Sequence, residues 1–504
     1  MEDLFLWWKA PDKTGEDEKR KLALERAKKL YEALEEFRCD ALRYFLITDY
    51  KHYKSEAEFN FQKDEMGEES LLTNPYLTLN VTASCVETAS NKIAKMRPRV
   101  TFLTKNADRE RREQARKLDN WILKTFKKGK VWQEGSKAFK SACVCGLGIV
   151  KLMLNKRNKI QFKKLPIFDF FCNNAHRGDS KPEEAGEVKS FTLNDLLMMY
   201  PSKEKKLKEL HGEQVSKSVK VWEIYRQYEA HMIMTDKVTL LDEKWDKPLP
   251  YQLFKWEYAD QGVVGVGLSK KLYAIQNAIT YILGKTFRSV RNFAIPRVFV
   301  SKSSAPTQKD ITNLVAEIIE VNTDGGPLPQ FSTPPAVNNQ VLEILIMLWQ
   351  KAFEIVGISS LSAGGQIPRG LEKASGAALR SYQQVESERF QLIRSDYEEA
   401  FISMAKKAIK LSNDSMLPKG LKRAEIMEAK DDLQIWTSSL LPETPSGRLA
   451  MVGDLFNTGL VTGNQALSLM DSPDTSKFLT SETSRQRAID LLLDRALDLS
   501  LIHI

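Results

Sequence analysis

At 504 residues, with 42% apolar and 28% charged side chains, the chain has the composition of a globular protein large enough for two to four domains. Its formal net charge of +9 is a mild excess, compatible with a polyanionic partner but far below that of a dedicated nucleic-acid-coating protein. Five scattered cysteines, the absence of a basic region and apolar core after Met1, and apolar stretches no longer than 341–349 argue against a disulfide scaffold, a secretory leader and a membrane span, so a soluble, cytoplasmically made protein is expected.

Residues 17–47 read as one amphipathic helix, with Leu30, Leu34, Phe37, Ala41 and Tyr44 on one stripe and charged residues opposite. A second helix is predicted over about 77–96, ending before Pro98, which biases Arg97 toward extended geometry. Helices over 107–128 and 131–145 follow. Gly146-Leu-Gly148 then leads into Ile149–Leu154, and the period-two alternation of Lys159–Lys163 predicts a hairpin. Further strands are expected at Lys220–Gln227, His231–Thr235 and Pro250–Tyr258, with a short helix at Leu193–Met199. The first 265 residues thus read as a mixed α+β body, helices first and sheet later.

Past the glycine-punctuated segment Gly262–Gly267, a long helix is expected from Ser269 to Asn292, about 36 Å long. It carries Lys270, Lys271, Lys285, Arg288 and Arg291 and no acidic residue, and Pro296 ends it. Residues 296–336 form a small excursion: a strand Arg297–Ser301, a short helix near Thr307, a strand Ala316–Val321, and a tail rich in proline and glycine from Asp324 to Pro335. A strongly apolar helix, Val337–Val356, follows at once. Gly357–Lys373 is broken by Gly357, Gly364, Gly365, Pro368 and Gly370 and reads as a polar loop. Residues 374–412 support one very long helix, with a strand candidate at Leu433–Ser438 and short helices beyond.

The order of these parts carries more information than any single motif. Two long helices bracket a compact module, and a glycine-rich loop joins the second to a third. The apolar second helix needs partners beyond its own hairpin, which points to neighbours in an oligomer. Local strings fit the same order: Leu249-Pro-Tyr251 through Trp256 to Gly262, Gly265-Val-Gly267, Leu272 and Gln276-Asn277; then Gly357-Ile-Ser359, Gly364 and Lys373-Ala-Ser-Gly376; then Thr444 to Gly459. The arrangement resembles the portal protein (head-to-tail connector) family of tailed bacteriophages over roughly residues 20–480.

The resemblance implies a predominantly helical α+β fold with wing, stem, clip and crown. In this sequence the wing is 1–265 and 374–440, the stem helices 266–292 and 337–356, the clip 293–336, the tunnel loop 357–373 and the crown 441–504. It further implies a non-enzymatic virion component without cofactor, a twelve-fold ring at one capsid vertex that conducts double-stranded DNA during packaging and ejection. Implied partners are the terminase large subunit, head-completion or tail-adaptor proteins, the major capsid protein and scaffold. The short C-terminus, with Asp490, Asp494 and Asp498 among leucines, departs from relatives that carry a long helical barrel beyond the crown.

A conduit for DNA of any sequence should contact phosphates rather than bases. Gln366, Arg369 and Lys373, in and beside the glycine-rich loop, are the candidate DNA contacts there, ordinary loop solvation being the alternative. Lys285, Arg288 and Arg291 lie at helical spacing on or near one face. They are candidates for DNA contact or for pairing with Glu343 or Glu354 of a neighbouring subunit.

Several signals imitate chemistry. Gly284-Lys-Thr286 resembles the end of a phosphate-binding loop, but position 279 is Ile279 and the segment lies in an apolar helix, so no backbone cradle is expected. Cys143-Val-Cys145 with Cys172 and His176 could make a zinc set, although buried free thiols are the commoner outcome. Gly146-Leu-Gly148 and Gly265-Val-Gly267 each lack the third glycine of a dinucleotide fingerprint and read as turns. Asp431-Asp432 reads as an edge or cap feature. The competing classes, a nuclease or ATPase acting on nucleic acid or another virion head component, find no motif to stand on.

Overall fold

The computed structural model describes residues 7–9, 15–49, 79–95, 97–104, 109–155, 159–173, 181–211, 216, 218–259, 262–294, 297–301, 317–321, 339–358, 389–413, 416–418, 433–437 and 452–459. In chain order the elements are α1 Glu16–Glu32, α2 Glu35–Asp49, α3 Val81–Ala94, β1 Val100–Thr104, α4 Arg109–Lys128, α5 Val131–Cys145, β2 Leu147–Leu154, β3 Ile160–Leu165, β4 Phe170–Cys172 and β5 Glu184–Thr192. There follow α6 Leu193–Met199, α7 Glu204–His211, β6 Ser218–Arg226, β7 Ala230–Thr235, β8 Thr239–Lys244, β9 Tyr251–Lys255, α8 Leu268–Ala294, β10 Arg297–Ser301, β11 Glu317–Val321, α9 Asn339–Val356, α10 Gln391–Leu411 and β12 Leu433–Thr437. The mixed α+β class expected from the sequence is what these elements form.

The chain divides into two compact units. The larger comprises Met1–Arg97 with Phe102–Ile435, the smaller Pro98–Thr101 with Trp436–Ile504. In the smaller, Val452 is fully buried.

The larger unit is built on two antiparallel sheets. One is three-stranded, in the order β3-β2-β9, with Leu152 opposite Phe162 and Ile149 opposite Leu253. The other is a five-stranded meander, β4 to β8 in sequence order, with Val188 opposite Trp222 and Ile224 opposite Met232. The apolar stripe of α1 (Ala23, Leu24, Ala27, Leu30) packs with Phe171, Trp222, Ile224 and Met234, and Trp7 closes that cluster. A second cluster joins the sheets, with Leu147 and Ile149 against Phe170, Ala185, Tyr225 and Tyr251.

The predicted hairpin of β2 and β3 and the short helix α6 stand where expected. β5, β8 and α7 went unread: in β8 and α7 the exposed positions carry Lys, Glu and Asp and leave little apolar signal, and in β5 the glutamates Glu184 and Glu187 are themselves buried, which hides the alternation. The single helix expected over 17–47 is broken at Ala33 and Leu34. There the guanidinium of Arg38 donates to the Tyr31 carbonyl and lies 3.5 Å over the Tyr31 ring, while Leu34 turns into the inter-sheet core. Nor does the helix expected over 374–412 run unbroken: α10 starts at Gln391, and Phe390 has φ −96° and ψ 5°. Phe390 is buried, edge-on to Trp256 at 6.0 Å. In the excursion both expected strands exist, and they pair in parallel, Arg297 opposite Glu317.

The two Gly-x-Gly segments prove to be halves of one contact. Gly146 ends α5 with φ 95°, and a Cβ there would sit 2.1 Å from the Gly265 carbonyl oxygen. A Cβ on Gly267 would lie 2.4 Å from the Val144 carbonyl, and one on Gly148 would lie 1.9 Å from that of Ala138. Only glycine permits backbones to approach this closely. The junction locks the entry of α8 onto the α5–β2 turn.

Candidate nucleic-acid interface

Helix α8 leaves the body with one buried stripe: Leu268, Leu272, Gln276, Ile279 and Leu283, spaced at three and four residues. Gln276 is the polar member and is fully used. Its Oε1 accepts from the Val81 and Thr82 amides at 3.0 and 3.2 Å, and its Nε2 donates to the Leu79 carbonyl at 3.0 Å. These amides belong to the first turn of α3, which has no intrahelical partner for them, and its Asn80 cap accepts from the Ala83 amide at 2.7 Å. Nearby, the hydroxyls of Thr48 and Ser269 lie 3.0 Å apart, and Lys271 pairs with Glu257 at 2.6 Å. The base of α8 is thus fixed to the body by side chains from three directions.

The opposite face of α8 is exposed at Lys270, Ala274, Tyr281 and Lys285. Lys285 Nζ lies 5.5 Å over the ring of Tyr281, a cation–π contact that leaves the ammonium at the surface. Position 288 continues this register, and position 291 lies about 60° round the helix from it. Of the expected basic set, Lys285 is therefore on the exposed face. The side chains of Arg288 and Arg291 lie outside the described residues, as do Gln366, Arg369 and Lys373 and all of their loop past Ile358.

Helix α9 packs against α8 and α3. Only its last turns are covered: Ala352, Phe353 and Val356 are buried, whereas Leu342, Ile344, Ile346, Met347 and Ile355 are each at least 45% exposed. Glu354 is held by Lys351 within the helix at 2.5 Å, which makes it a poorer partner for a neighbour's arginine than Glu343. Burying one such aliphatic side chain is worth about 1.5–3 kcal/mol, so this surface favours association strongly.

The imitative motifs resolve into structure. Gly284-Lys-Thr286 lies inside α8, where the Thr286 hydroxyl donates to the Ile282 carbonyl at 2.8 Å. Cys143 and Cys145 are buried at the end of α5, and the Cys145 thiol donates to the Ser141 carbonyl at 3.2 Å. Burial pushes the Cys145 and Cys172 thiols up to about 12 and that of Cys143 well above its ordinary value, which disfavours the thiolates a metal needs. Cys172 is on β4, while His176 and Asp431-Asp432 lie outside the described residues. Among the described residues, no group of three or more His, Cys, Asp or Glu side chains could hold a metal ion, and no helix is long and apolar enough to cross a membrane.

Comparison with known families matches the chain in two overlapping segments. A model of the phage P22-like portal protein matches residues 29–260, from α1 to just beyond β9. A model of the phage SU10 portal protein matches residues 223–414, from within β6 through the basic and apolar helices to the end of α10. No curated protein matches the sequence. The two portal models overlap over residues 223–260, from β6 to just beyond β9, and the chain belongs to the portal proteins of tailed bacteriophages.

Proposed function

We propose that this protein forms a closed ring at one vertex of the capsid and conducts double-stranded DNA during packaging and ejection. The clip, around β10 and β11, is the docking platform for the terminase large subunit and later for head-completion or tail-adaptor proteins. The ring has twelve subunits and is seated against the major capsid protein and scaffold. It performs no chemistry and needs no cofactor. The observation that carries the reading is the uncovered apolar surface of α9 beside the exposed basic face of α8. A subunit alone leaves Leu342, Ile346 and Met347 in water; a ring of copies covers them and repeats the cationic face around a central channel.

Native mass spectrometry and negative-stain imaging test this directly. The wild-type chain should assemble into rings. Leu342→Lys with Ile346→Lys should leave a folded monomer that does not assemble, because two ammoniums would have to be desolvated at each contact. A wild-type chain that stays monomeric at high concentration sinks the proposal.

Gln366, Arg369 and Lys373 are assigned to DNA contact at the channel, with Lys285, Arg288 and Arg291 lining the stem or pairing across subunits. Replacing Arg369 and Lys373 by Ala should leave ring assembly intact and reduce packaging or retention of DNA. Normal packaging by the double variant would return both residues to plain solvation.

A further inference from the structure

Helix α4 holds a second concentration of positive charge, far from α8 in sequence. Its buried stripe is Ala115, Leu118, Ile122 and Phe126, each at most 5% exposed. The face turned away from that stripe carries Arg116, Asn120, Lys124, Lys127 and Lys128, all exposed, and Lys130 continues it past the helix end. From Arg116 to Lys130 the stripe is about 21 Å long.

No carboxylate is exposed between Glu113 and Glu134. Glu113 pairs with Lys117 and Glu134 with Lys137, while Arg116, Lys124, Lys127, Lys128 and Lys130 have no carboxylate partner among the described residues. Asp119 faces inward and accepts from the Phe102 amide at 2.7 Å. The positive surroundings register on Glu134. Burial pushes its carboxyl up, yet hydrogen bonds from Lys137 and the Lys164 amide and the charges of Lys137 and Lys163 hold it below its ordinary value.

Helix capping explains part of this pattern, since Lys127 and Lys128 in the last turn favour the helix dipole. It does not explain Arg116 or Lys124, which lie a turn or more earlier. Nor does it explain Lys130, which holds the left-handed conformation at φ 52° that favours glycine. Its neighbour Gly129 has a packing reason: a Cβ there would lie 2.6 Å from the Phe162 ring.

The character of the stripe selects its partner. A protein interface of this extent would offer an apolar or aromatic centre, and none of the exposed large hydrophobic side chains falls on α4. A rod of cations separated by Asn and Thr suits a regular polyanion whose charges recur every 1.7 Å or so along its axis. We propose that the exposed face of α4, from Arg116 to Lys130, is a second DNA-binding surface that holds the phosphate backbone of duplex DNA without reading sequence. It is additional to the contacts made through α8 and the glycine-rich loop.

A covalently closed DNA circle of a few hundred base pairs tests this, because an intact circle cannot thread a preformed ring and so reports only on surfaces outside a channel. A subunit that remained monomeric would offer the circle both the stripe and the basic face of α8, so it is the difference between wild type and the α4 variants that reports on the stripe. Binding of the circle to the full chain should weaken with salt, with a log–log slope of about −4 to −5 from five phosphate contacts. Changing Arg116, Lys124, Lys127, Lys128 and Lys130 to Gln should flatten that slope toward zero and lower affinity at least tenfold. The single variant Lys124→Glu, in an exposed helix interior where folding tolerates it, should weaken binding several-fold with unchanged circular dichroism. Circle binding unaltered in both variants overturns the proposal. So does a Lys124→Glu chain that binds normally but no longer assembles, which would make the stripe a contact between subunits.

Discussion

Replacing Lys151 with Met should destabilise the larger unit by about 3–5 kcal/mol at neutral pH, the usual result of stripping the counter-ion from a buried carboxylate. Lys151 is 5% exposed on β2 and crosses from the three-stranded to the five-stranded sheet. Its ammonium lies 2.7 Å from Glu187 on β5 and 2.6 Å from Glu223 on β6. Burial opposes that charge, but Glu223 and Glu187 outweigh it and raise the lysine above its ordinary value. Burial likewise pushes Glu223 up, yet Lys151 first and then His231, 3.2 Å away, hold it well below the carboxylate range. The remaining His231 nitrogen lies 2.8 Å from Glu243, and its ring stacks on Tyr225 at 4.0 Å.

The signs give a pH test. A depressed carboxylate such as Glu223 stabilises the fold above its unfolded pKa, and that contribution is lost as pH falls through the depressed value. The raised Lys151 contributes fully below its unfolded pKa and loses its contribution only as pH rises past 10.5. In the Met variant the cation between the two carboxylates is gone, leaving Glu187 with the partly exposed Lys189 at 2.6 Å and Glu223 with His231 at 3.2 Å, so one of them takes a proton on mild acidification. The difference in stability between variant and wild type, read from urea midpoints, should therefore shrink between pH 7 and pH 5. A loss that stays constant over that window would mean that packing, not charge, is what the lysine supplies.

Gly146→Ala should be equally damaging, at least about 4 kcal/mol. It forces a Cβ to 2.1 Å from the Gly265 carbonyl at a backbone φ of 95° that side chains avoid. The Cβ is fixed by its own backbone and the oxygen it meets is main chain, so no rotamer change relieves the conflict. The expected readout is loss of the folded unit, with α8 detached from the α5–β2 junction. Gly15→Ala, where nothing lies within 4 Å of the added carbon, serves as the control and should stay within about 1 kcal/mol. Similar behaviour of the two variants would refute the close approach.

Much of this protein was legible before any coordinates. Helices α3, α5 and α6 and strands β10 and β11 follow from apolar spacing and from the glycines and prolines at their ends, because those signals are local. The order of basic helix, small module, apolar helix and glycine-rich loop was enough to suggest the portal family, which the two family models bear out. The basic stripe of α4 was also present in the sequence, in a helix whose cations fall opposite Leu118, Ile122 and Phe126. It went unread because its Glu113 and Asp119 mask the asymmetry until the structure shows Asp119 turned inward to the Phe102 amide.

Fold class, many of the helices and strands and the family were thus determined by the sequence itself, because periodicity and turn chemistry act over a few residues. Only the tertiary structure decided that two separate Gly-x-Gly segments are one contact, that helix 17–47 breaks at Leu34, and that Lys151 is shared by carboxylates on two strands. Each of these joins residues tens to more than a hundred positions apart. Such pairings are set by how the sheets stack and by which polar groups must be satisfied once water is gone, and no local pattern encodes that.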